Sequence, residues 1–125
     1  MSTLDKYNEN KYEFKQDFIK YSIIHNELLI SNKNKSNNAR KKLVELLEMV
    51  REGYYEKDLF LELIDHDNPC VSIMAATNLL RLNFKIEEAI GKLNELKEYN
   101  NEKKLWYLKS NARMILDIYN KNGKI

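Results

Sequence analysis

At 125 residues the chain has the length of one domain, and such a domain buries roughly two thirds of the surface its unfolded form exposes, so it needs no disulfide or metal staple. Hydrophobic residues make up 43% and charged ones 32%, and there are only three glycines and one proline, a shortage that helical proteins tolerate and turn-rich sheet proteins do not. The net charge of +2 excludes a strong global steering field, and the single cysteine, Cys70, excludes an internal disulfide or a cysteine-based metal framework.

Charge is nevertheless uneven along the chain. Residues 39–68 carry five basic and eight acidic groups, whereas residues 69–125 carry ten and six. A lone cysteine suits a reducing compartment. The first twenty residues hold no apolar signal core, and no run approaches the ~18 apolar residues of a membrane span. A cytoplasmic, non-membrane protein is the expectation.

Residues 1–11 are polar and expected to fray. From Tyr12 to Ile30 the apolar residues Phe14, Phe18, Tyr21, Ile24 and Leu28 recur at helical spacing. The segment Ser31–Asn38 reads as a polar loop rich in capping residues. A second helix is expected from Ala39 to about Glu52, with Leu43, Leu46, Leu47 and Val50 inward and Gly53 as its stop. A third, Tyr55 to Ile64, buries Leu59, Phe60, Leu63 and Ile64.

Asp65-His66-Asp67-Asn68-Pro69 is the sharpest punctuation. Asn68 is a good N-cap, and Pro69 fits the first helical position, where its missing N–H costs nothing. The fourth helix, Pro69 to about Leu82, is apolar almost all round and is therefore expected to be covered on several sides. A fifth helix, Lys85 to Tyr99, buries Ile86, Ala89, Ile90, Leu93 and Leu96. The sixth, Lys103 to about Asn120, presents Leu105, Leu108, Ala112, Ile115 and Tyr119, widened by Tyr107, Met114 and Ile118.

The segment Leu59–Leu82 resembles a HEAT repeat: a helix ending in Leu63-Ile64, an acidic turn at Asp65 and Asp67, then Val71, Ala75-Ala76 and Leu79-Leu80. Ala89–Tyr119 resembles a degenerate second copy. From about Ala39 onward the chain is similar to a small bacterial family of HEAT-like domains, the DUF twenty-nineteen family, through His66-x-Asn68-Pro69-x-Val71, Ala75-Ala76-x-x-Leu79-Leu80, Ala89, Leu93 and Ala112-x-x-x-Leu116. HEAT-like motifs usually place Arg after the valine. Here that position is Ser72, so the ion pair such an Arg would make with Asp65 is missing. The resemblance implies one all-α domain over 1–125, a HEAT-like α-α superhelix of about six helices in stacked antiparallel pairs.

Familiar chemistries find no footing. His66 and Cys70 are separated by Pro69 and lack the orienting group and oxyanion site of a nucleophilic pair. Asp65-x-Asp67 begins like a calcium loop, but Pro69, Cys70 and Ala76 occupy the positions that need a ligand, a glycine and the final glutamate. Two histidines, His25 and His66, are too few and too distant for a zinc site. No enzyme activity, cofactor or metal is expected.

The expected function is protein binding, most concretely that of a bacterial immunity-type protein masking a cognate toxin. A scaffold or regulatory module is the second reading. A nucleic-acid binder using Lys103, Lys104 and Lys109 around Trp106 and Tyr107 is the third. The candidate partner-binding residues are Glu45, Glu48, Glu52, Glu56 and Glu62. The first three share a helical face at i, i+3 and i+7, a docking patch for a basic protein.

Overall fold

The computed structural model describes residues 11–98 and 106–125. Among them are six helices and no strand: α1 Lys11–Glu27, α2 Lys33–Arg51, α3 Asp58–Leu63, α4 Pro69–Arg81, α5 Ile86–Lys97 and α6 Trp106–Asn122. The chain divides into two compact units, residues 1–59 and 60–125, with the boundary inside α3.

In the first unit α1 packs on α2. The pair is antiparallel, because the end of α1 meets the start of α2 through His25 and Ser36. Its other end is closed by Phe14, whose ring lies 4.6 Å from that of Tyr55, just beyond α2. Burial raises the Tyr55 hydroxyl pKa, and the nearby Glu13 carboxylate pushes the same way.

The core stripe of α1 runs in steps of four: Phe14, Phe18, Ser22, Asn26. Tyr21, Ile24 and Leu28, which the spacing places inward, are only half-buried. Two polar residues, Ser22 and Asn26, take the buried positions instead. Asn26 Nδ2 donates to the Ser22 carbonyl at 2.8 Å, but the buried Ser22 hydroxyl has no partner among the described residues. A buried unsatisfied hydroxyl is costly, and alanine is a better helix former than serine. Ser22→Ala is therefore expected to stabilise the chain by about 1 kcal/mol, read as a higher denaturant midpoint.

The expected loop at residues 31–38 is mostly helix. Asn32 is the N-cap, its side chain accepting from the Lys35 amide at 3.2 Å, so α2 begins at Lys33. Local composition favours a loop here, and tertiary contact overrides it. Ser36 is fully buried and its hydroxyl donates to the His25 carbonyl at 2.7 Å, fixing this turn as the first of the helix. At its other end α2 closes on Gly53, with φ of 88°, where the Gly53 amide reaches the Val50 carbonyl and the Tyr54 amide that of Met49. This paired C-terminal motif needs a left-handed residue, which glycine supplies without a Cβ clash.

In the second unit α4 packs against both α5 and α6, and α5 packs against α6. Ten of the thirteen residues of α4 are buried, as a helix apolar on nearly every side requires. It starts where the Asn68-Pro69 pair dictates, with Asn68 Oδ1 accepting from the Cys70 amide at 2.9 Å. It ends on Asn83, in the left-handed region at φ of 55°, in the same motif that ends α2. Lys85 follows at φ of 52°, so α5 starts at Ile86 from a residue without a side-chain cap bond.

The apolar arc of α6 is narrower than its sequence suggests. Tyr107, Leu108, Ala112 and Leu116 are buried, Ile115 and Tyr119 half-buried, and Met114 and Ile118 are 52% and 39% exposed. The expected third helix is likewise shorter, six residues rather than ten, although Tyr55, Leu59, Phe60, Leu63 and Ile64 are all buried. Leu105, Lys103, Lys104 and Tyr99 lie outside the described residues.

Candidate docking surface

Helix α2 positions three of the five carboxylates singled out from the sequence. Ser36, Ala39, Leu43, Leu46, Leu47, Met49 and Val50 form its buried side. At 3.6 residues per turn, Glu45, Glu48 and Glu52 project from the opposite side within one narrow arc, and all are exposed. Their neutralisation is incomplete. Arg51 Nη1 donates to Glu48 Oε1 at 2.7 Å, and Lys42 Nζ stands 3.8 Å from Glu45 Oε2, both i, i+3 pairs on open surface. Exposed pairs of this kind are worth at most about 1 kcal/mol. They leave the glutamates open to solvent. Glu56 is exposed in the turn before α3, and Glu62, on α3, is exposed in the second unit.

The turn from Asp65 to Asn68 is built as structure. His66 Nδ1 accepts from the Asn68 amide at 3.0 Å, which places the ring proton on Nε2. Cys70 is fully buried. The Ser72 hydroxyl donates to the His66 carbonyl at 2.9 Å. Asp65, left without an Arg by Ser72, finds its cation elsewhere: Lys92 Nζ of α5 lies 2.8 Å from Asp65 Oδ1 and 2.8 Å from Glu95 Oε2. Burial pulls the Lys92 pKa down, but the hydrogen bonds and charges of Asp65 and Glu95 outweigh it, and the net shift is upward. An ammonium held this way is a clasp between α5 and the turn before α4. It is not a base. No group of three or more metal-ligating side chains occurs among the described residues.

The seam between α1 and α2 holds a titratable contact that the sequence did not signal. Ser36 Oγ gives its proton to the His25 carbonyl, so Nδ1 of His25 must carry the proton that meets Ser36 Oγ at 3.0 Å and the Ser36 carbonyl at 3.1 Å. Burial lowers the His25 pKa below its ordinary value of 6.5, against the raising effect of the Ser36 carbonyl, and the Arg40 charge lowers it further. Stability is therefore complete above the ordinary value. As pH falls below it the unfolded chain takes up the proton first, and stability declines until the folded-state pKa is reached. The His25→Gln variant is expected to lose this slope, seen as a smaller change in unfolding free energy across that window than in the parent protein.

What the sequence reading missed is the basic half of α2. Lys33, Lys35, Arg40, Lys41 and Lys42 lie on its first half with no acidic residue among them, and the glutamates follow on the second half. Arg40, Lys41 and Lys42 fall on the expected second helix, but Lys33 and Lys35 lie in the expected loop 31–38, and the structure puts them on α2 beside α1.

No protein-family model, curated protein or solved structure matches this chain. Among the described residues, no helix is long and apolar enough to cross a membrane.

Proposed function

We propose that this chain is a non-catalytic protein-recognition domain, most concretely a bacterial immunity-type protein of HEAT-like architecture that neutralises a cognate toxin by masking it. The observation that carries the reading is the carboxylate face of α2. Glu45, Glu48 and Glu52 point away from the core, so they do little to hold the fold and stand ready for a basic partner. The structural use of His66 and Lys92 fits a binding role.

The partner to test is the product of whatever gene lies directly upstream, where an immunity-type role requires a toxin, co-expressed and co-purified with this chain. Reversal of Glu48 and Glu52 to lysine should slow association and flatten its salt dependence, because interface charge acts mostly on encounter rate. Circular dichroism should not change, since both side chains lie outside the buried stripe. Lys103→Glu with Lys104→Glu is the control. If the control abolishes binding while the Glu48/Glu52 reversal leaves it intact, the assignment to α2 is wrong.

A further inference from the structure

The first unit carries a second surface, of opposite sign. Tyr21, Ile24 and Ala39 form the apolar floor of an open groove of about 320 Å³ between α1 and α2, and Lys20, Lys35 and Lys42 stand along it. Among the described residues no carboxylate lines it. Lys42 has only the 3.8 Å approach of Glu45, and Lys20 Nζ rests 5.2 Å from the centroid of the Tyr21 ring. Lys20 and Lys35 have no ion pair among the described residues.

We propose that this groove docks an acidic, amphipathic segment of a partner protein. An aliphatic or aromatic anchor covers the Tyr21–Ile24–Ala39 floor, and carboxylates flanking the anchor meet Lys20, Lys35 and Lys42. The argument is charge complementarity around an apolar centre. A groove that is apolar where it is deepest and cationic along its sides rewards an occupant that is apolar in the middle and anionic at the flanks. Lysine ammoniums on flexible stems accept carboxylates in varied geometry, so the site selects charge pattern more than exact sequence. A single-stranded nucleic acid fits less well. It needs open aromatic faces for stacking, whereas among the described residues Tyr21 alone is an aromatic lining the groove, and Lys20 already lies over its ring. The proposal does not rest on the carboxylate face at the other half of α2, and either can fail alone.

The test titrates the isotope-labelled full chain with three probes while amide resonances are followed. One is a short synthetic peptide with a central Leu-Phe anchor flanked by glutamates. The second carries the same anchor flanked by lysines, and the third is an oligothymidylate. The glutamate peptide should shift the amides of Lys20, Ile24, Lys35 and Ala39 saturably, less so as salt rises, and the lysine peptide should not. Lys35→Glu with Lys42→Glu should weaken the glutamate peptide by roughly tenfold or more, as reversed interface charge does. The milder Lys35→Gln with Lys42→Gln should weaken it in the same direction should the reversal perturb the circular dichroism. The proposal is overturned if the glutamate peptide causes no saturable shift at these amides, or if the lysine peptide binds as well. It also falls if both double variants bind like the parent. Tighter binding of the oligothymidylate at the same amides would replace it with a nucleic-acid site.

Discussion

Truncation of Leu79 to alanine is expected to lower the unfolding free energy by about 2–5 kcal/mol, the range for buried leucines. Leu79 is fully buried on α4, the helix of the second unit that packs against both α5 and α6. A cavity there is lined from more than one side, so relaxation of a single neighbour cannot fill it, and the cost should fall in the upper half of that range. The Leu79 carbonyl also accepts the Phe84 amide at 3.0 Å in the motif that ends α4, but the alanine variant keeps that bond. The loss measured is therefore one of packing. Met114→Ala and Ile118→Ala are the internal comparison. Both side chains are substantially exposed on α6, so each should move the denaturant midpoint little, by about 0.5 kcal/mol or less in stability. If Leu79→Ala were as mild as these, α4 would not be the core of its unit.

Phe14→Ala should cost about 3–5 kcal/mol, as buried aromatic truncations do. The ring is fully buried and lies against Tyr55 in a tilted arrangement. Tilted aromatic pairs add about 0.5–1.5 kcal/mol beyond area burial. Removing the ring also opens the end of the α1–α2 pair where Tyr55 turns in after α2, so the near-ultraviolet circular dichroism of the tyrosines should change with stability. Tyr12→Ala, two residues away on the exposed side of α1, should be nearly silent, because its side chain is 69% exposed. A small effect of Phe14→Ala would mean that the start of α1 does not stay packed on its unit in solution.

The carboxylate face was readable from the sequence because it depends on one helix alone. Given α2, the spacing of Glu45, Glu48 and Glu52 sets their common direction whatever the rest of the molecule does. The lysine groove was not readable in the same way. It needs α1 beside α2 and the first turn of α2 in place, and both depend on contacts between residues about eleven positions apart, such as His25 with Ser36.

The same division runs through the fold. Local chemistry by itself determined that the chain is helical, where α4 begins, and which glycine ends α2. A cap such as Asn68, a proline at the first helical position, and a residue at φ above zero act within a few bonds of themselves. Tertiary structure alone decided how wide each buried arc became. Helical periodicity marks the centre of an apolar face, but its edges are set by the number and nearness of neighbouring helices. So Ser22 and Asn26 are buried in α1 while Ile118 stays exposed on α6. Tertiary structure also decided that Asp65 pairs with Lys92, twenty-seven residues on. An ion pair of that span exists only once α5 is docked, because nothing local holds the two charges together.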